Sequence, residues 1–180
     1  EYLNMLFWKL PDNKFMAFIP KTGSTAWGQA ILDKYYPELK QKQARASTPS
    51  GETASPQFLI PHVRKIPEGA TVYGIFRDPI ERFKSGSVAI GSNINKNIQS
   101  LHDKKPNVHI KSMTDMFGDD LNKITWIKYE SKLADLVKLI NLDKMPLPMN
   151  VTKNKIRLNG NQLAQLQEAY KADIEFYNKL

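Results

Sequence analysis

A run of small polar residues that includes one lysine follows a buried apolar segment near the start of the chain. Residues 15–19 (FMAFI) are apolar throughout, and residues 20–25 (PKTGST) follow them directly. A strand that ends in a glycine-containing loop and continues as a helix can bind phosphate, because loop amides and the helix N-terminus face the anion. Lys21 would add a full positive charge. We therefore predict an anion-binding loop at residues 20–25.

The position of Lys21 distinguishes this loop from the Walker A loop of nucleotide-binding proteins. In that pattern the lysine directly follows the last glycine of a longer spacing. Here Lys21 precedes Gly23 by two residues. The loop is thus predicted to bind an anion in another arrangement.

A second cation lies at the end of another predicted strand. Residues 71–76 (TVYGIF) are typical of a buried strand, and Arg77 follows them. Asp78 is then a suitable helix N-cap, with Pro79 at the first helical position and Glu81 completing a capping box. Ser85, eight residues after Arg77, would lie about two turns into that helix.

Strands that alternate with helices predict an α/β domain that spans residues 1–180. A helix is predicted from Ser24 to Pro37, a third strand at residues 124–129, and a helix after Glu130. Residues 2–10 are expected to form an edge strand or packing arm. The resulting three-layer sandwich has a central, mostly parallel sheet, so both cationic sites lie at the carboxyl ends of strands and can grip one elongated anion.

The remaining segments are predicted from composition and periodicity. Residues 38–57 are expected to form a long exposed loop, and residues 91–112 to be polar and irregular. A helix is expected within 113–122. Apolar residues from Leu163 to Tyr177 recur at helical spacing, which predicts one amphipathic C-terminal helix.

Taken together, the motifs resemble those of sulfotransferases that use 3′-phosphoadenosine-5′-phosphosulfate. Residues 18–25 (FIPKTGST) look like that family's 5′-phosphosulfate loop, and residues 75–85 (IFRDPIERFKS) look like its 3′-phosphate motif. Residues 126–130 (WIKYE) and a final helix with Tyr170, Asp173 and Tyr177 are similar to carbohydrate-type (heparan-type) members. The resemblance implies a P-loop NTPase-like sulfotransferase fold and transfer of a sulfuryl group to a hydroxyl of an acceptor, expected to be a carbohydrate rather than a small phenol.

The resemblance also implies roles for individual residues. Lys21 would stabilise charge on the leaving phosphate of the donor, whose product is 3′-phosphoadenosine-5′-phosphate. Arg77 and Ser85 would hold the 3′-phosphate, since guanidinium binds phosphate as a bidentate fork. The alternatives are a salt bridge of Arg77 with Asp78 or Glu81, and an ordinary surface position for Ser85. The contacts to the 5′-phosphosulfate would come from the amides of Thr22, Gly23 and Ser24 and the hydroxyls of Ser24 and Thr25.

His62 is the candidate general base, because a neutral imidazole accepts a proton near pH 7. It follows an apolar stub and precedes Arg77 by fifteen residues, as the catalytic histidine of some sulfotransferases follows a strand. Glu52, in the preceding polar loop, is the rival. His102 and His109 lie in a polar segment without a partner pattern and are expected to have no catalytic role, although that segment could line the acceptor site.

Two features depart from the family pattern. Ala26 separates Thr25 from Trp27, and the helical periodicity makes Trp27 a candidate core residue rather than an adenine-stacking one. The basic segment that covers the 3′-phosphate is replaced, if at all, by Lys153, Lys155 and Arg157.

Composition limits the remaining classes. The net charge is +8 and favours an anionic partner, but lysines are spread along the chain, so no nucleic-acid arm is predicted. The chain has no cysteine, and no metal-ligand spacing is present; the resemblance implies no metal. Neither a signal peptide nor a membrane span is recognisable, which leads us to expect a cytoplasmic protein, although a start at Glu1 leaves a preceding segment open. Oligomeric state cannot be read from these patterns.

Two rival functions stay open at this point. A P-loop-type nucleotide or small-molecule kinase is disfavoured by the position of Lys21 and by the lack of an evident Mg²⁺-holding aspartate at a strand end. A non-catalytic module that binds nucleic acid or sulfated glycan would rest on the charge of +8 and would show steep salt dependence.

Overall fold

The computed structural model describes residues 5–40, 56–91, 93–148 and 156–180, which form an α/β structure with a five-stranded sheet and helices on both of its sides. The strands are β1 (Phe7–Leu10), β2 (Lys14–Ala17), β3 (His62–Val63), β4 (Thr71–Phe76) and β5 (Ile124–Lys128). The α-helices are α1 (Ser24–Tyr35), α2 (Pro79–Ile90), α3 (Ile94–His102), α4 (Met113–Phe117), α5 (Leu133–Leu139), α6 (Gly160–Ala169) and α7 (Lys171–Lys179). Short 3₁₀ helices occur at Pro37–Leu39, Pro56–Phe58 and Gly118–Lys123.

The sheet is mixed, with strand order β3-β1-β2-β4-β5. β2 pairs with β4, and β4 with β5, in parallel, whereas β1 is antiparallel to both β2 and β3. The expected mostly parallel sheet is therefore mixed, since two of its four strand pairings are parallel and two are antiparallel. Four of the five strands nevertheless run in one direction, namely β3, β2, β4 and β5. Their carboxyl ends consequently share one edge of the sheet.

A tight hairpin accounts for the reversed strand. Asp12 and Asn13 have positive φ angles of 58° and 53°, and Lys14 N donates to Pro11 O at 3.2 Å. Residues 11–13 form this three-residue loop, and two consecutive left-handed residues at its centre are the geometry of a type I′ turn, which asparagine and aspartate tolerate. The expected edge strand at residues 2–10 is thus an inner strand, β1, and the short β3 takes the edge.

Both faces of the sheet are buried, with the period of two that strands require. Trp8, Met16 and Tyr73 face one side and pack with α1 and the region of α5. Their neighbours Phe15 and Val72 face the other side, in a cluster with Met113 and Phe117 of α4 and residues of α7. This two-sided burial makes the three layers that the sequence predicts.

A third apolar cluster joins α2, α3 and α6. Its buried members are Phe83, Ile98, Ile110, Leu166 and Tyr170. This cluster supports α2, the helix that begins directly after Arg77 and Asp78. The position of Arg77 is thus fixed from the sheet on one side and from this cluster on the other.

Several predicted elements are confirmed and others are wrong. The strand at 71–76 is confirmed residue for residue, and α1 begins at Ser24 and ends before Pro37 as predicted. The segment 91–112 is not irregular, because it contains α3. The C-terminal helix is interrupted at Tyr170, whose ψ of 20° separates α6 from α7. Across the described ranges, no helix is long and apolar enough to cross a membrane.

Candidate anion-binding site

The loop between β2 and α1 has a backbone that suits an anion. Lys21 and Gly23 both adopt left-handed conformations, with φ angles of 68° and 77°. Between them, Thr22 is 2% exposed, and its hydroxyl donates to Ile19 O at 2.9 Å. Backbone of alternating hand forms concave groups of amides that bind anions. The Thr22 hydroxyl thus shapes the loop, which leaves the amide as the part of Thr22 for a ligand.

The N-terminus of α1 has no side-chain cap. Gly23 is its N-cap residue and makes no side-chain capping hydrogen bond, and the first turn contains no acidic residue. Ser24 and Thr25 form the start of this helix and are partly exposed. A helix start without its own acceptor carries partial positive charge and free amides, which a bound anion can satisfy.

Arg77 is joined directly to this loop. Its Nη1 donates to Lys21 O at 2.8 Å, and its guanidinium lies over the ring of Tyr129, 4.9 Å from the centroid. Its Nε is buried and has no hydrogen-bond partner among the described residues. Because buried polar groups almost always find a partner, an N–H without an acceptor marks this as a place that a bound anion would complete.

The two cations are not neutralised. In the described part of the chain there are four ion pairs, and neither Lys21 nor Arg77 takes part in any of them. Burial lowers the pKa of Lys21, and the nearby positive charge of Arg77 lowers it further. A salt bridge of Arg77 with Glu81, the alternative considered from the sequence, does not form; Glu81 instead pairs with Lys84 at 2.7 Å.

The start of α2 is capped from two sides. Asp78 accepts from Ile80 N and Glu81 N, both at 2.9 Å. The reciprocal half of the expected capping box is wrong, because Asp78 N donates to Glu130 Oε1 at 3.0 Å rather than to Glu81. Glu130 also accepts from the Tyr177 hydroxyl at 2.8 Å. Glu130 therefore links the ends of β4 and β5 to the C-terminal helix α7.

Ser85 lies further along α2 than the other candidates. It is 8% exposed, and seven residues of helical rise place it roughly 10 Å from the N-cap. The contacts recorded for Arg77 are with the loop and Tyr129. The structure thus joins Arg77 to Lys21, and Ser85 would reach the same phosphate only through its small exposed surface.

His62 lies on β3, at the same edge of the sheet as the loop. It pairs with Trp8 of β1, and its Nδ1 is 2.9 Å from Ile60 O. A carbonyl can only accept, so Nδ1 carries the proton and the neutral ring presents Nε2 as an acceptor. With β1 between β3 and β2, His62 lies about 10 Å across the sheet from the strand that leads to Lys21.

Two residues near the loop were not predicted from the sequence. Arg82 is 2% exposed and donates to Pro20 O at 3.1 Å, Val108 O at 3.1 Å and Lys111 O at 2.6 Å. His109, for which no catalytic role was expected, has its pKa lowered by burial and, in addition, by the positive charges of Lys21 and Arg82. A signal for Arg82 existed, since helical spacing puts it on the buried side of α2 with Pro79 and Gly86. No comparable signal identifies His109.

The other residues considered from the sequence have structural or peripheral positions. Trp27 is 3% exposed and belongs to the core, which agrees with its periodicity. Arg157 is exposed, whereas Glu52, Lys153 and Lys155 lie outside the described residues.

Tyr170 and Asp173, in the C-terminal helical segment, act as tethers. The Tyr170 hydroxyl donates to Ile110 O. The buried Asp173 carboxylate accepts from Met113 N and from the backbone and hydroxyl of Thr114. They therefore fix the C-terminal helices against the segment that contains His109.

Comparisons with family models, with characterised proteins and with solved structures found no match for this chain. Within the described ranges, no group of three histidine, aspartate or glutamate side chains converges to hold a metal ion. What the arrangement can do is therefore argued from its own geometry: an uncapped helix start, two unneutralised cations on adjacent parallel strands, and an imidazole acceptor at the same edge.

Proposed function

We propose that this protein is a sulfotransferase that takes its sulfuryl group from 3′-phosphoadenosine-5′-phosphosulfate and transfers it to a hydroxyl, expected on a carbohydrate. The observation that carries the proposal is the direct bond between Arg77 and the backbone of Lys21, at the ends of neighbouring parallel strands. It supports a site for a ligand with more than one anionic group. When bound, this donor supplies an activated sulfuryl group.

The described residues fit such a ligand. The orphaned Nε of Arg77 and the uncapped start of α1 are donors without acceptors, and neither Lys21 nor Arg77 is paired with a carboxylate. Lys21 would stabilise negative charge on the leaving phosphate, and Arg77 would bind an anionic group through its fork. Ser24 and Thr25, in the first turn of α1, would add hydroxyl donors, while Ser85 is assigned to the 3′-phosphate by the resemblance alone.

His62 is proposed as the general base. Its Nδ1–H is held by Ile60 O, which orients the ring and leaves Nε2 to accept the proton of the acceptor hydroxyl. Such a residue contributes roughly 10²–10⁴-fold to turnover. His62 touches none of the proposed donor contacts, so its replacement is expected to change turnover and not donor affinity.

The kinase alternative is disfavoured because the carboxylates that follow β4 and β5, Asp78 and Glu130, already accept hydrogen bonds within the protein. Asp78 caps α2, and Glu130 accepts from Asp78 N and the Tyr177 hydroxyl, so both are occupied within the protein. A kinase needs such a carboxylate to hold Mg²⁺. A non-catalytic anion-binding module keeps its support from the charge of +8 and becomes an outcome of the test below.

Calorimetry with 3′-phosphoadenosine-5′-phosphate tests the donor site. We expect binding that Arg77→Ala weakens by about 10- to 100-fold, the usual worth of charge-assisted hydrogen bonds. Lys138→Ala is the control, because it also removes one positive charge but lies exposed in the last turn of α5, and its affinity is expected to be unchanged. Absence of binding by the unaltered protein, or equal affinities for the two variants, would refute the proposal.

Transfer of labelled sulfate from the donor to oligosaccharide acceptors then separates an enzyme from a binding module. We expect His62→Ala to retain affinity for 3′-phosphoadenosine-5′-phosphate and to lose most turnover. Binding without transfer to any hydroxyl acceptor would favour the module. Magnesium-dependent loss of the γ-phosphate of ATP would favour the kinase.

A further inference from the structure

His109 is held beside the anion-binding loop by the helix that follows Arg77. Arg82 donates both to Pro20 O, the carbonyl before Lys21, and to Val108 O, the carbonyl before His109. One buried guanidinium thus fixes the backbone that precedes each of these two side chains. Because a guanidinium is rigid and planar, the two segments keep one relative position.

The backbone of His109 is also packed without clearance against α2. A Cβ built on Gly86 would lie 2.4 Å from His109 O, so only glycine allows this approach. On the other side, His109 N donates to Asn107 Oδ1 at 3.0 Å. The segment is therefore fixed at three points, which is more than an exposed polar connection requires.

The Nδ1 atom of the His109 imidazole is buried and has no hydrogen-bond partner in the described part of the chain. The charged groups that act on the ring are Lys21 from the loop and Arg82 from α2, both cations, and together with burial they lower the pKa of His109. No carboxylate accounts for a polar ring in this position, whereas a bound anion would.

We propose that His109 is a further ligand-binding residue, which contacts the same anionic end of the ligand as Lys21. This inference rests on the anion site of the proposed function but not on the identity of the donor. An imidazole next to Lys21 can donate an N–H to an anion oxygen, and the anion in turn favours its protonated form. His62 approaches from the β3 side of the loop, so the two imidazoles have separate positions.

The direct test is NMR titration of the three imidazoles in the unaltered protein, assigned with His62→Gln, His102→Gln and His109→Gln variants. The probes are 3′-phosphoadenosine-5′-phosphate and inorganic pyrophosphate. We expect either anion to raise the pKa of His109 and to leave that of the exposed His102 unchanged. A His109 resonance that neither anion moves would overturn the inference.

Calorimetry provides the second arm and separates the two proposals. At a pH below the midpoint that the NMR titration gives for His109 in the anion complex, we expect His109→Gln to weaken anion binding by about 10-fold, and His102→Gln to have no effect. Binding of 3′-phosphoadenosine-5′-phosphate that is equally tight in both variants would overturn the role of His109 and leave the proposed function standing. If pyrophosphate shifts the His109 resonance but the protein does not bind 3′-phosphoadenosine-5′-phosphate, the contact between His109 and an anion is supported. The same result refutes 3′-phosphoadenosine-5′-phosphosulfate as the sulfuryl donor.

Discussion

Replacement of Arg82 by methionine tests whether one buried guanidinium organises the site. Methionine keeps an unbranched apolar stem but removes every donor to Pro20 O, Val108 O and Lys111 O. Each orphaned buried carbonyl costs about 1–3 kcal/mol, so three cost about 3–9 kcal/mol. Removal of a buried charge offsets about 2 kcal/mol of the roughly 6 kcal/mol in the middle of that range, which leaves a net loss of roughly 4 kcal/mol.

Urea unfolding followed by tryptophan fluorescence measures this loss. With an m-value of about 2 kcal/mol/M, a loss of ~4 kcal/mol moves the midpoint down by about 2 M. Lys84→Met is the matched control on the same helix, because its partner Glu81 is an exposed neighbour whose ion pair contributes at most about 0.5 kcal/mol. Arg82→Lys keeps the charge without the fork and is expected to lie between the two.

The result that refutes this reasoning is a midpoint for Arg82→Met within about 0.5 M of the Lys84→Met control, since that corresponds to ~1 kcal/mol. Such a result would mean that water or small backbone shifts satisfy the three carbonyls, and that Arg82 does not hold the loop beside the segment 107–111. If the methionine variant does not fold, the lysine variant and its midpoint decide the question.

Three further predictions concern the same neighbourhood. Gly86→Ala is expected to cost about 1–3 kcal/mol, because its Cβ would meet His109 O, whereas Gly160→Ala, with open space around it, is expected to be neutral or slightly stabilising in the same urea assay. Lys21→Met removes a charge that lowers the pKa of His109, so an NMR titration is expected to show that pKa rise; an unchanged value would mean that the two groups are not close. Since the folded state holds the pKa of His109 below its ordinary value of 6.5, the unfolded state binds the extra proton first. The free energy of unfolding is therefore unaffected by His109 above pH 6.5 and decreases as the pH falls below 6.5. His109→Gln is expected to remove this decrease from the urea midpoints measured against pH. Identical pH profiles for the variant and the unaltered protein would contradict the prediction.

The sequence predicted those parts of the site that local patterns encode. Gly23 needs a left-handed backbone, Asp78 and Pro79 mark the start of a helix, and the apolar run before Arg77 marks a strand. Each signal depends on residues within a few positions of one another. These are the features for which periodicity and turn chemistry are informative.

What the sequence did not show depends on contacts between distant segments. α3 was missed because asparagines and lysine surround its apolar positions Ile94, Ile98 and Leu101, which still recur at helical spacing. The backbone N–H of Asp78 donates to Glu130 and not to the expected Glu81. Predicting this bond requires knowing that Glu130 follows the neighbouring strand β5. The position of His109 depends on Arg82, which donates hydrogen bonds to backbone carbonyls far away in the sequence. No local sequence pattern predicts these bonds.

The way in which the cations are held is itself an argument about the site. Arg77 is positioned by the carbonyl of Lys21, and Arg82 by three carbonyls, so both are oriented by partial charges and not by carboxylates. A carboxylate partner would position a guanidinium equally well but would cancel its charge. Arg82 serves the fold itself through its three carbonyls, whereas Arg77 lies partly exposed beside the loop and has no carboxylate partner among the described residues. The proposed anionic ligand would supply the missing negative charge beside Arg77, and its binding would stabilise the folded protein by an amount that rises with the logarithm of its concentration relative to its Kd.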